Sequence, residues 1–284
     1  MTKMQPSELT HAIIEHWRGR ADLQAIRRDL QARGKSPGAL EAEDLAPHDQ
    51  LHAGGLEATR IFMDWVQVPS GARVLDLGAG LGGPARVLAS TLACTVTALD
   101  ISPALTAAGA ELTSWMGLSE RVAHVAGGLE ALEATGGFDL LWLQHLDIHL
   151  ADKPSFYSAC LGHLVPGGRL VLHDWLAGAV GRPRFPLPWS ADGSLSFLAT
   201  RDELAALLHE VGWRISRLEP QEERTLGWYR KLERALTGAL GRIPPGDGEE
   251  RRARLDHLLR ETRNVLESLA EGSLLPFFGE ARAR

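Results

Sequence analysis

Short apolar segments alternate with stretches of helical periodicity through the middle of this chain, and that alternation restricts its fold more than any other feature. Residues 73–77, 94–99, 121–125, 138–143 and 169–173 read as strands. Helices are predicted between them, from the glycine-rich turn after residue 77 to about residue 91, over 103–116 and over 153–164. Strand, helix and strand repeated in this way predict a parallel sheet with helices on both faces.

The flanks differ. Leu9, Ile13, Ile14 and Trp17, then Leu23, Ile26 and Leu30, recur at helical spacing, and Gly34 ends the second of these helices. Residues 35–55 are loop-rich, and a further helix is expected over 56–66. Beyond the alternating region come a loop rich in Pro and Trp (182–190), a helix over 201–211 and a strand over 213–218. Two helices (222–240 and 249–269), split by Ile243-Pro244-Pro245-Gly246, precede a last strand over 274–278.

Composition narrows the function classes. The net charge of −6 does not attract phosphate backbones, and the run from Glu249 to Arg254 is mixed in sign, so no nucleic-acid partner is expected. Cys94 and Cys160 are too few and too scattered for a disulfide framework or a zinc site. No apolar stretch resembles a signal peptide or reaches membrane-spanning length. A cytoplasmic protein with no membrane partner is therefore expected.

The chemistry centres on Val74-Leu75-Asp76-Leu77-Gly78-Ala79-Gly80-Leu81-Gly82-Gly83. Gly78, Gly80 and Gly82 let the backbone approach a ligand where the first parallel strand ends, which is where open α/β sheets bind small molecules. A glycine-rich turn is common to nucleotide sites, but two details separate this one from a pyrophosphate site. Its spacing is G-x-G-x-G-G, and Asp76 puts a carboxylate at the strand end, which suits the cationic amino-acid end of S-adenosylmethionine. Asp100, at the end of the second strand, suits the two hydroxyls of a ribose. Capping of the helix that follows would also explain it.

These residues resemble motif I of the class I S-adenosylmethionine-dependent methyltransferases. Asp49-Gln50-Leu51-His52-Ala53-Gly54-Gly55-Leu56-Glu57-Ala58-Thr59 resembles the D-Q-x-H-x-G-G-x-x-A-T segment of a narrower group, the sarcosine/dimethylglycine N-methyltransferases and their relatives. Leu81-Gly82-Gly83-Pro84-Ala85-Arg86, the segment from Leu143 to Lys153 and the turn Pro166-Gly167-Gly168 are similar to the same group, which also holds C- and O-methylating natural-product enzymes. The resemblance covers about residues 45–175. It implies a Rossmann-like α/β sheet with helices on both faces, N-terminal helices over 1–55 acting as a lid or cap, and a methyltransferase domain over 56–284 with a helical insertion at about 222–270.

It also implies cofactor contacts at Gln50, His52, Asp76, Gly78, Gly80, Gly82, Asp100, Ile101, Gly128, Leu129 and Gln144, with S-adenosylmethionine as cofactor and a small molecule as methyl acceptor. Two departures stand out. His145 replaces the group's usual Asp, and Gly128 stands where an acidic residue often meets the adenine.

Methyl transfer from a sulfonium asks the protein to align the nucleophile and exclude water. An amine must arrive neutral, whereas a hydroxyl gains from a base. His145 and His149 are the candidate catalytic residues. If residues 146–150 are helical, the two imidazoles share one face. Structural hydrogen bonding would explain either histidine equally. The pair lacks the Glu and the third ligand of a zinc site, so no metal is expected. Gln50 and His52 should fold over the cofactor, and His173-Asp174-Trp175 closes the fifth strand. Trp175, Trp189 and Trp228 lie in segments able to cover the pocket, while Trp142 and Trp213 should pack the sheet.

An amine of the sarcosine/dimethylglycine type is the first acceptor expected. A larger apolar acceptor methylated on C or O is the alternative, favoured by the missing Asp at 145 and the Pro/Trp-rich loop. An NAD-dependent oxidoreductase and a non-catalytic binding module are the remaining readings, and the glycine spacing with Asp76 and Asp100 opposes both. The N-terminal helices could also serve as a contact in a homodimer.

Overall fold

The computed structural model describes residues 4–133, 137–244 and 248–284. In chain order the elements are α1 (Pro6–Trp17), α2 (Leu23–Ala32), α3 (Ala42–Asp49), α4 (Gly55–Val66), β1 (Arg73–Leu77), α5 (Gly83–Leu92), β2 (Thr95–Asp100), α6 (Pro103–Trp115) and β3 (Val122–Ala126). Then come β4 (Phe138–Gln144), α7 (Lys153–Cys160), β5 (Leu164–Ala177), α8 (Arg201–Glu210), β6 (Trp213–Pro220), α9 (Glu222–Gly241), α10 (Glu249–Ala270) and β7 (Leu274–Ala283).

The strands form one sheet in the order β3-β2-β1-β4-β5-β7-β6. The first five run parallel, and β7 inserts antiparallel between β5 and β6. This is the expected Rossmann-like α/β fold with helices on both faces. Strand order reverses between β1 and β4, which opens a crevice at their carboxyl ends. Register aligns the ends that matter, since Asp76 lies beside Ala98 and Trp142, and Gln144 beside His173.

Alternation along each strand divides the core between the two faces. Val74, Val96, Leu140, Trp142 and Val171 pack on one face with Phe62, Met63 and Leu88. Leu75, Leu77, Leu141, Leu143, Leu170 and Leu172 pack on the other with Tyr157, Leu204 and Trp213. Both faces are covered, which is why these strands read as nearly continuous apolar runs. Trp142 and Trp213 are fully buried, as expected of sheet-packing residues.

Three expectations are corrected. The stretch 35–55 is not all loop, because α3 occupies Ala42–Asp49. Glu41 and Asp44 form a capping box, and Pro47 is accommodated inside this helix and hides it from the sequence. β5 is much longer than predicted, since pairing with β7 runs from Arg169 to Ala177 and carries the strand past His173. Residues 146–150 form no α-helix. A single 3₁₀ turn spans Asp147–His149, and His145 sits before it at φ 60°, so His145 and His149 do not share a helix face. Residues 245 and 246 of the expected helix-splitting turn lie outside the described residues.

Candidate active site

A cavity of about 610 Å³ opens over the carboxyl ends of β1, β2 and β4. Its floor is built by the glycine turn. Gly78 and Gly80 lie in the left-handed region at φ 69° and 56°, and a Cβ on Gly78 would stand 2.9 Å from the Leu146 side chain. Gly80 N–H donates to Asp100 Oδ2 (2.8 Å) and Ser102 N–H to Oδ1 (2.8 Å), so one carboxylate ties the turn to the end of β2. The side-chain cap of α6 comes from Ser102, which accepts from Leu105 N–H.

Asp76 supplies the group that bears most directly on a ligand. It is 1% exposed and lines the cavity, and its Oδ2 has no hydrogen-bond partner among the described residues. Burial, then the Asp100 charge, pushes its pKa up to about 8. A buried carboxylate with an orphaned oxygen fits a cationic ligand group, as an ammonium would satisfy both charge and lone pair.

Of the residues expected to touch the cofactor, His52, Asp76, Gly78, Gly80, Asp100, Ile101, Gly128, Leu129 and Gln144 line the cavity. Gln50 and Gly82 do not. Gln50 turns inward, where Oε1 accepts from Thr59 Oγ1–H (2.8 Å) and His52 Nε2–H (3.0 Å). Gly82 instead allows close packing, since a Cβ there would stand 2.6 Å from His124. The amide of Gln144 is largely committed. Its Nε2–H groups donate toward His52 Nδ1 (3.2 Å) and His173 Nδ1 (3.0 Å), and its Oε1 accepts from Trp142.

The histidines separate by partner. His149 Nδ1–H donates to the Leu195 carbonyl (2.9 Å), and its Nε2 accepts from Trp17 Nε1–H (3.2 Å). Both nitrogens are in use, and burial lowers its pKa to about 4. The His145 imidazole faces the cavity, and no side-chain hydrogen bond ties it among the described residues. Burial and then His173 and His52 hold its pKa well below the usual value, so it is neutral at pH 7. His173 belongs to a second cavity of about 450 Å³, lined also by Trp228 and Phe278, and its ring meets His145 edge-on at 5.0 Å. The His52 ring lies 5.7 Å from that of His145 and 5.6 Å from that of His173, and no group of three or more His, Cys, Asp or Glu side chains able to hold a metal ion is present among the described residues.

The turn carrying both candidate bases is fixed from below. Asp147, fully buried, forms an ion pair with Lys153 Nζ (2.8 Å) and accepts from Tyr157 OH (2.6 Å). Its N–H donates to Asp174 Oδ2 (2.6 Å), and its carbonyl accepts from Lys153. A second buried pair, Arg86–Asp49 at 2.7 Å, ties the end of α3 to α5, while Arg86 also donates to the Gly109 carbonyl and Thr113.

Sequence reasoning missed Trp17, Asp49, Glu130 and Tyr229, all on the cavity wall. Glu130 accepts from Gly128 N–H (3.0 Å), so an acidic group stands two residues beyond the position where its absence was noted. Trp189 lines the cavity, whereas Trp175 does not and stacks on the Trp189 ring at 5.5 Å. Nothing local in the sequence pairs Trp17 with His149, 132 residues away.

Comparison with known proteins agrees with this geometry. Residues 74–168 match the family described as Methyltransferase domain. The matched segment runs from β1 through β4 into the start of β5. It is 28% identical to the glycine/sarcosine/dimethylglycine N-methyltransferase of Actinopolyspora halophila over 84% of this chain and 42% of that protein. It is 35% identical to the 2-methyl-6-phytyl-1,4-hydroquinone methyltransferase of Synechocystis over 45% of this chain and 37% of that protein. The chain thus spans less than half the length of either relative. Phosphoethanolamine N-methyltransferase 2 of Haemonchus contortus, solved with phosphomonomethylethanolamine and S-adenosylhomocysteine, shares the fold. Its TM-score is 0.70 at 18% identity, covering 91% of this chain and 60% of that one.

Proposed function

We propose that this chain transfers the methyl group of S-adenosylmethionine to a small-molecule acceptor. The observation that carries the reading is the orphaned, buried Asp76 carboxylate at the end of β1, beside Asp100 and the glycine turn. Bound there, the cofactor would supply a methyl group already activated on a sulfonium.

The chain's own residues then have separable tasks. Asp76 holds the cationic amino-acid end, directly or through water. Asp100 keeps its two oxygens toward the turn and can still accept from ribose hydroxyls. Gly128 and Leu129 line the adenine end, with Glu130 in place to accept from its amino group. His145 is the base we assign, because its neutral imidazole faces the cavity without a competing partner. His149 orders the acceptor wall, since both its nitrogens are engaged. The helices before residue 55 are the lid, and α1 helps exclude water. The buried free cysteines suit the reducing cytoplasm in which we place the chain.

The relatives act, by name, on amines and on a phytyl hydroquinone. An amine of the sarcosine/dimethylglycine type and a larger acceptor methylated on O or C are both consistent with these tasks. Calorimetric titration with S-adenosylmethionine and S-adenosylhomocysteine, followed by mass-spectrometric detection of S-adenosylhomocysteine release with an acceptor panel, tests the proposal. Saturable binding and methylated product are expected, and failure of both cofactor forms to bind would sink it.

A further inference from the structure

We infer that the methyl acceptor of this chain has a largely apolar body and carries no anionic group. The inference rests on the methyl-transfer reading and specifies its substrate class.

Charge is the first argument. No Lys or Arg lines the cavity among the described residues, whereas Asp76, Asp100, Glu130 and Asp152 do, as does Asp49, whose charge the buried Arg86 offsets. The three histidines of the wall add no positive charge at neutral pH. Burial lowers His52 and His149 to about 4 and His145 well below its usual value. The ammonium of Lys153 is committed to Asp147 and does not reach the cavity. The cofactor already brings one carboxylate into this space. A second anion, whether the carboxylate of an amino acid or a phosphate ester, would lose its hydration and gain no cation in return.

The second argument is the lining. Ile13, Ile14 and Trp17 of α1 line the cavity together with Ile148, Trp189 and Tyr229, and Trp17 packs against the cluster that holds these three. α1 buries none of its residues, although its apolar positions repeat along one face. That face lies against the cavity, so an apolar acceptor is the occupant that would remove it from water. Trp17 and Trp189 also suit the alkylated ammonium that methylation of an amine produces.

The test uses the full chain. Affinity for S-adenosylhomocysteine is measured first, without acceptor. The loaded protein is then titrated with 4-hexylphenol and N-methylhexylamine, and with sarcosine, dimethylglycine and phosphoethanolamine. Turnover with S-adenosylmethionine is followed in parallel. We expect saturable binding of at least one apolar probe and affinities roughly 100-fold weaker for every anionic one. The variant Ile14→Arg, at a half-buried position on the cavity face of α1, should weaken the apolar probe roughly tenfold and leave S-adenosylhomocysteine binding within about twofold. Preferred binding or turnover of an anionic acceptor would overturn the inference. So would binding of neither class, or apolar binding indifferent to Ile14→Arg. Loss of S-adenosylhomocysteine binding in the first titration would instead remove the methyl-transfer reading and this inference with it.

Discussion

Asp76 shows how one residue can be unfavourable for the fold and useful for the site. Its carboxyl is fully buried, and its pKa of about 8 lies above the ordinary carboxylate value. The folded state therefore holds a proton that the unfolded state has released between about pH 4 and pH 8, and stability falls as pH rises through that window. Asp76→Asn should raise the melting temperature of the cofactor-free protein above pH 8, by about 2–4 °C per kcal/mol relieved. A cationic ligand group prefers the ionised carboxylate, so affinity for S-adenosylmethionine should increase from pH 6.5 to 8.5. Calorimetry across that range should show the increase in the parent and a weak, flat profile in Asp76→Asn. His145 offers a parallel test. At φ 60° it occupies the left-handed region, which Asn tolerates, so His145→Asn should unfold at nearly the parent's urea midpoint. If His145 is the base, the variant should turn over a phenolic acceptor about 100-fold more slowly.

At the scale of elements, the turn between β4 and α7 is determined by what holds it from beneath. Asp147 is gripped at its N–H, its carbonyl and its carboxylate by Asp174, Lys153 and Tyr157. Removing the cation leaves a buried carboxylate without its counter-charge. Lys153→Met should therefore cost about 3–5 kcal/mol in urea unfolding of the cofactor-free protein. The sequence made Asp147 and Lys153 visible as part of a recognised segment but could not show that they face each other under the turn. It also left a helix open there, one that would have put His145 and His149 on the same face. The grip on Asp147 imposes a 3₁₀ turn instead.

For the whole molecule, the contrast is between a sheet buried on both faces and a helix laid over its open end. α1 is held by Trp17 Nε1–H on His149 and by the contact of His16 with the Pro188 carbonyl (3.0 Å). It has little packing of its own, so it should open far more readily than the sheet. Limited proteolysis of the free protein should cut first within residues 6–21. S-adenosylhomocysteine together with a bound acceptor should slow that cut severalfold, measured by intact mass. Trp17→Phe, which removes one hydrogen bond worth about 1 kcal/mol, should accelerate the cut without moving the main unfolding transition.

The sequence by itself determined the alternating α/β order, the glycine turn, and the placement of Asp76 and Asp100 at strand ends. These follow from local periodicity and from spacing along one segment, which survive in any compact arrangement of the chain. Tertiary structure decided which histidine stays free of side-chain hydrogen bonds among the described residues. Trp17 and Leu195 engage His149, whereas His145 keeps its imidazole toward the cavity. It turned Gln50 inward, set His173 toward the second cavity, and brought the apolar face of α1 over a cavity wall without Lys or Arg among the described residues. Each of these depends on contacts between residues far apart in the chain, and such contacts leave no period or spacing to read.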